Sequence, residues 1–187
     1  MKKSLLLMVV SFFLLTGCTY RCFHPVWYEG AYRGKVIDAE TKEPIEGVVV
    51  LGVWYSQLWS PGGGVSEYYD ARETVTDKNG EFTMPGKGIR ILSNLVPVDL
   101  LIFKAGYEYE AGSWTSLKVG YLAREKVKWE GDKAIIPLKK LSVEERKKGG
   151  IPPLPPREVR KDKIKLLLNE INKDRIDRGL SVIDIGR

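Results

Sequence analysis

The chain has 187 residues, with 30 Lys and Arg against 24 Asp and Glu and a single His. Residues 18–141 balance at 16 basic and 16 acidic groups, whereas 142–187 hold 12 against 8, so the positive excess is a basic tail and not a basic domain. That placement argues against nucleic acid as a partner, and one histidine leaves little room for histidine-dependent catalysis or zinc chemistry.

At the N-terminus, Met1-Lys2-Lys3 is a short positive stretch and Ser4 to Leu15 is almost wholly apolar. A run of about a dozen residues is too short to span a hydrocarbon core, which needs roughly 20. It has the length and the charged flank of a signal-peptide core. Leu15-Thr16-Gly17-Cys18 follows, and it resembles the bacterial lipobox: an aliphatic residue, two small ones and a cysteine. The resemblance implies removal of residues 1–17 and a diacylglycerol on the Cys18 sulfur, so that lipid anchors the chain to a membrane without spanning it. The alternative is an ordinary secretory signal that ends near a cysteine. Thr19, standing where an aspartate would imply retention at the inner membrane, implies the outer membrane facing the periplasm. With Cys18 acylated, Cys22 has no partner within the chain. A disulfide framework is then excluded and a hydrophobic core must hold the fold; Cys22 is expected as a free thiol or as a link to another chain.

Residues 18–30 read as an aromatic tether around His24. From residue 31 the pattern turns β. Ala31 to Asp38 and Ile45 to Tyr55 read as strands separated by the polar turn Ala39 to Pro44, and the second run is the densest in β-branched and aromatic residues. Ser56 to Asp70, which contains Pro61-Gly62-Gly63-Gly64, reads as a long loop. Arg72 to Thr76 and Glu81 to Met84 are predicted to pair as a hairpin around Asp77-Lys78-Asn79-Gly80. Val96 to Lys104 and Ala134 to Leu138 supply the remaining strands. This spacing predicts an antiparallel β-sandwich over residues 31–141.

Residues 142–156 read as a charged, Gly/Pro-rich linker able to adopt polyproline II, and 157–187 as a C-terminal helix and tail. Arg157 to Arg178 is the predicted helix, set between Pro155-Pro156 and Gly179. Val159, Ile164, Leu167, Leu168 and Ile171 fall on one side of it. That stripe either docks on the sandwich or binds a partner protein. Leu180 to Ile185 adds a short strand or serves as a recognition tail.

Four pieces of the body fall in one order: Gly34-Lys35-Val36-Ile37-Asp38; Thr41, Pro44-Ile45 and Gly47-Val48-Val49-Val50; Thr74-Val75-Thr76-Asp77-Lys78-Asn79-Gly80-Glu81-Phe82; and Lys104-Ala105-Gly106-Tyr107. Together they resemble the carboxypeptidase regulatory-like domain over about residues 32–138. The resemblance implies a transthyretin-like or Ig-like sandwich without peptidase activity, which in that family belongs to a separate catalytic domain. Gly34 and Gly47 are expected at a bulge or a close backbone approach, Gly80 at a tight turn with positive φ, and Phe82 and Tyr107 in the core. The segment 56–70 departs from the family in being longer and more aromatic.

With its only histidine in the tether, the chain is expected to be no enzyme and to need no cofactor and no metal. Asp77-Lys78-Asn79-Gly80 resembles the opening of a calcium loop but lacks the later oxygen ligands and the closing glutamate, and a turn explains the same residues. Trp54, Tyr55, Trp59, Tyr68 and Tyr69 are the best candidates for a binding surface, the other reading being that they fill or shield the core. No paired carboxylates or amide cluster stand beside them, which favours a protein partner over a sugar. The expected function is a non-catalytic, membrane-anchored interaction or structural module of the bacterial cell envelope. The alternative is a carbohydrate-binding module built on residues 54–69.

Overall fold

The computed structural model describes residues 26–60, 63–119, 127–149 and 151–184; the predicted signal peptide, Cys18, Cys22 and His24 lie outside the described residues. The strands are β1 (Val26–Glu29), β2 (Tyr32–Asp38), β3 (Val49–Ser60), β4 (Gly63–Val75), β5 (Glu81–Met84), β6 (Gly88–Ile91), β7 (Asp99–Phe103), β8 (Glu110–Ser113), β9 (Lys128–Glu130) and β10 (Lys133–Leu138). The helices are α1 (Trp114–Val119), α2 (Val143–Gly149), a 3-10 turn (Lys161–Ile164) and α3 (Lys165–Asp177). The chain divides into two units, one of residues up to Gly30 with Gly86–Asn94 and one of Ala31–Pro85 with Leu95–Arg187.

The larger unit is a β-sandwich of two four-stranded sheets, in the orders β5-β2-β10-β9 and β4-β3-β7-β8. Its pairings are antiparallel except for β2 with β10, which run parallel. Alternation places one face of each strand inside. Tyr32 and Val36 of β2, Ala134, Ile136 and Leu138 of β10, Val50 and Trp54 of β3, and Leu100 and Ile102 of β7 meet in one core with Phe82 and Met84. Gly34 sits where a Cβ would meet the Phe82 ring at 2.5 Å, so the first glycine of the motif is a close approach of backbone to a core aromatic.

The turn after β4 passes the chain from one sheet to the other. Asp77 accepts the N–H groups of Asn79 at 2.9 Å and Glu81 at 2.8 Å on one carboxylate oxygen. Gly80 takes φ +71° and its carbonyl accepts the Val36 N–H at 2.8 Å, a conformation that costs glycine nothing. The buried Thr76 hydroxyl donates to the Ile45 carbonyl at 2.6 Å and accepts the Val48 N–H at 2.9 Å. It stitches the turn before β3 to the end of β4.

The apolar runs of β3 and β7 are continuous because both faces of their sheet are covered. Val49, Leu51 and Val53 of β3, Leu101 and Phe103 of β7 and Ala71 of β4 point away from the sandwich core and form a second cluster with Val159, Ile164, Leu167, Leu168 and Ile171. The unit therefore has three layers, sheet, sheet and helix.

Polar contacts fix the helix at both ends. The 3-10 turn supplies no side-chain cap. Instead the Glu73 carboxylate of β4 accepts the N–H groups of Leu166 at 2.9 Å and Leu167 at 2.6 Å, as an N-cap would. Farther along, Glu170 accepts the Ala105 N–H at 3.1 Å. The buried Asp174 carboxylate pairs with Arg146 of α2 and, at 3.3 Å, with Arg178. The helix ends with Leu180 N–H on the Arg175 carbonyl and Gly179 N–H on the Ile176 carbonyl, the paired bonds of a Schellman motif.

Several expectations are corrected. Residues 56–60 and 63–70 are not a loop: they are the paired ends of β3 and β4, with Leu58 and Trp59 before the glycines and Val65, Tyr68 and Tyr69 after them supplying apolar and aromatic side chains suited to strands. β4 and β5 do not form a hairpin, since β4 pairs with β3 and β5 with β2. Residues 26–29 of the expected tether are a strand paired with β6. Residues 143–149 of the expected linker are a helix, started by a Ser142–Glu145 capping box in which each side chain takes the other's backbone N–H. The C-terminal α-helix begins at Lys165, behind the 3-10 turn that starts at Lys161, and not at Arg157. Residues 180–184 form no strand; Asn172 instead bonds Ile183 through both its carbonyl and its amide, at 2.7 and 2.9 Å.

Candidate functional site

The aromatic set of residues 54–69 divides between opposite faces of the β3–β4 pair. Trp54 is fully buried. It stands 6.4 Å from the Tyr32 ring, which meets Trp114 edge-on at 5.3 Å, and Trp114 in turn meets Trp129 at 5.1 Å. Trp54 thus belongs to an internal aromatic file, and its reading as a contact residue is corrected: with no solvent-exposed surface it has no ring face to offer.

Tyr55 and Tyr68 are cross-strand partners on the other face. Both are half-buried against the cluster that includes the C-terminal helix. Burial pushes both hydroxyls up, with Asp99 and Glu158 adding to the effect at Tyr55 and Asp70 at Tyr68. The register shifts between Trp54 and Tyr55, so that Asp70 faces Trp54 and Tyr68 faces Tyr55. Tyr69 is the extra residue of this bulge and is 56% exposed. Trp59 is paired through its backbone with Gly64, and its side chain lies outside the described residues.

What the segment builds is an arm. β7 pairs with β3 only through Val53, while β3 and β4 stay paired out to Ser60 and Gly63. A bridge from Ser56 to Leu95 covers the start of the free edge of β3. Beyond it the arm carries the cross-strand pair Leu58 and Val65, which are 46% and 56% exposed. Tyr69 stands four positions along β4 from Val65, with the exposed Ser66 and Glu67 among the residues between them. The residues that sequence reasoning missed here are Leu58 and Val65, single apolar side chains on either side of the glycines whose pairing no local pattern announces.

The second candidate site was the helical stripe. Ile164, Leu167, Leu168 and Ile171 are buried against β3 and β7. The partner-helix reading is corrected for this reason: the sandwich itself occupies that face.

Beside the helix, the Pro-rich segment lies along the same outer face of the sheet and leaves a groove of about 240 Å³, lined by Val53, Tyr55, Asp99, Gly112, Leu154 and Pro156. Typical ligand pockets are about 300–1,000 Å³, so it is small for a ligand. Burial pushes the Asp99 carboxyl up. Elsewhere the perturbed carboxylates serve the backbone. Asp38 is held low by the N–H groups of Thr41 and Glu40. Burial pushes Glu73 up against the lowering effect of its two helix N–H bonds. Among the described residues no group of three His, Cys, Asp or Glu side chains is placed to hold a metal ion. Among the same residues no helix is long and apolar enough to cross a membrane.

No family model and no curated protein matches the chain. Among solved structures it is similar to the pilus adhesin RrgA from Streptococcus pneumoniae at 14% identity and a TM-score of 0.32, over 62% of this chain. The chain spans 15% of the length of that adhesin, and a likeness of this order says nothing about function.

Proposed function

We propose that the chain is a lipid-anchored, non-catalytic module of a bacterial cell envelope that presents the β3–β4 arm to a protein partner. The observation that carries the anchor is Leu15-Thr16-Gly17-Cys18 directly behind a charged and then apolar N-terminal stretch. Thr19 favours the outer membrane, with the body in the periplasm. The non-catalytic reading is supported by the use made of the polar groups: Asp38, Glu73, Asp77 and Glu145 each bind backbone N–H groups, and the single histidine lies in the tether.

The carboxypeptidase regulatory-like relationship is part of the same proposal. Its support is that the motif residues have structural duties in one neighbourhood. Gly34 admits the Phe82 ring, Asp38 holds its own turn and meets the Tyr107 hydroxyl, and Asp77 with Gly80 makes the crossing between sheets.

The arm favours a protein over a sugar because, among the described side chains, its exposed large apolar groups are Leu58, Val65 and Tyr69, two aliphatic and one aromatic, while Trp54 is buried. Photo-crosslinking in cells, with the reactive side chain at Leu58 and a control at Asp132 on the β9–β10 turn, tests this reading. A discrete protein adduct is expected at Leu58, absent at Asp132 and lost in Cys18→Ser. No adduct at Leu58, together with retention of the protein on peptidoglycan or polysaccharide that Tyr69→Ala abolishes, would replace it with a carbohydrate-binding role.

A further inference from the structure

The smaller unit carries an apolar face of its own. β1 and β6 pair antiparallel, with Val26 opposite Ile91, Trp27 opposite Arg90 and Tyr28 opposite Ile89. Directly opposed residues share a face. One face of the ribbon is therefore Val26, Tyr28, Ile89 and Ile91, which are 60%, 69%, 71% and 69% exposed, and Leu92 beside it is 65% exposed. The other face carries the polar contacts: the Arg90 guanidinium lies 4.5 Å over the Trp27 ring and 3.6 Å from Glu29.

Two considerations decide what covers the apolar face. The first is reach. Cys18 and Val26 are eight residue steps apart, which fully extended is at most about 28 Å. A lipid on Cys18 would thus keep the ribbon within about one bilayer thickness of the headgroups. The second is size. The two strands are four residues long, about 13 Å, and the face holds four apolar side chains with Leu92 beside them, against about 20–30 residues a side in a standard protein interface. The face is too small for a stable dimer. It is of the right kind for an interface with lipid, where a tyrosine with flanking aliphatic side chains sits at headgroup level.

We infer that the Val26, Tyr28, Ile89, Ile91 face of the ribbon inserts shallowly into the bilayer that holds the anchor, and so makes a second, non-covalent membrane contact. A lipid anchor at one residue and a second weak contact together restrict orientation more than either alone. The inference rests on the lipid-anchor reading of Cys18.

The experiment uses the full lipidated chain, extracted from membranes and reconstituted in vesicles of phosphatidylethanolamine with phosphatidylglycerol as the anionic minority. Nitroxide labels are placed one at a time by Tyr28→Cys, Ile89→Cys and Ile91→Cys, with Asp132→Cys as control and Cys22→Ser throughout. Collision with oxygen is compared with collision with a water-soluble nickel chelate, and intact mass is measured on the same samples. The expected result is a lipid adduct on Cys18, oxygen preference at residues 28, 89 and 91, and nickel preference at 132. Adduct present with nickel preference at all four sites overturns the insertion and leaves the anchor standing. Density-dependent spin–spin broadening at 89 without oxygen preference also overturns it, in favour of a second copy. Absence of the adduct overturns the anchor and the insertion together.

Discussion

Two apolar surfaces of this chain meet opposite fates. The α3 stripe (Ile164, Leu167, Leu168, Ile171) is covered by β3 and β7, and the ribbon face (Val26, Tyr28, Ile89, Ile91) is left open to solvent. Both are short and of similar composition. The difference lies in their polar surroundings. The helix brings groups that complete bonds on the sandwich: its first N–H groups meet Glu73, its Glu170 meets the Ala105 N–H, and its Asp174 meets Arg146. Periodicity identifies a surface that needs cover, whereas the flanking polar groups decide what covers it.

The comparison breaks first at Ile171. Ile171→Asp places a carboxylate in the fully buried stripe and is expected to cost more than about 4 kcal/mol, seen as loss of the cooperative urea transition. Leu167→Ala leaves a cavity and costs about 2–5 kcal/mol in the same measurement. Arg146→Ala removes one of the two cationic partners of the buried Asp174 carboxylate. Arg178 remains, so the expected loss is about 2 kcal/mol, below the roughly 3–5 of a pair broken outright.

Glu73→Ala leaves the Leu166 and Leu167 N–H groups without their acceptor and costs about 1–2 kcal/mol. Glu73→Gln is expected to cost less, since an acceptor oxygen remains and burial already disfavours the charge. If the glutamine variant loses as much as the alanine one, charge and not hydrogen bonding holds the helix start. On the ribbon the sign of the comparison reverses. Ile89→Ser is expected to change stability by less than about 0.5 kcal/mol.

The smallest effect is a pH dependence at α2. The Ser142 backbone N–H, its hydroxyl and then Lys139 hold the Glu145 carboxyl at about 2, below the ordinary 4.5. A lowered carboxyl stabilises the fold above its unfolded value, so the contribution is present above pH 4.5 and fades as pH falls toward 2. The stability difference between wild type and Glu145→Gln should shrink over that range, and a difference independent of pH would show that the capping box does not form.

Six of the eight strands of the sandwich were legible because their residues alternate or run apolar within a few positions, whereas the short β8 and β9 hold few apolar residues and went unread. Phe82 and Met84 inward in β5 and Ala134, Ile136 and Leu138 inward in β10 read directly. The continuous runs of β3 and β7 announced burial on both faces, and the apolar stripe of α3 supplied the cover. The arm was misread because Pro61 and the three glycines after it speak for a loop locally, while the pairing of Leu58 with Val65 is a property of two strands at once. β1 and β6 were illegible for a related reason: Gly88-Ile89-Arg90-Ile91 has a partner more than 50 positions away. The anchors Glu73, Asp174 and Arg146 look like surface charge until the helix is placed. The Ser142–Glu145 spacing was a readable helix start, and its signal was masked by the glycines and prolines that follow.

For function the most direct measurement is intact-mass spectrometry of the protein extracted from membranes, beside Cys18→Ser. The account predicts a chain that begins at Cys18 and carries a diacylglycerol-type adduct, with neither feature in the variant. A mature chain without lipid, or one cut elsewhere, would contradict it.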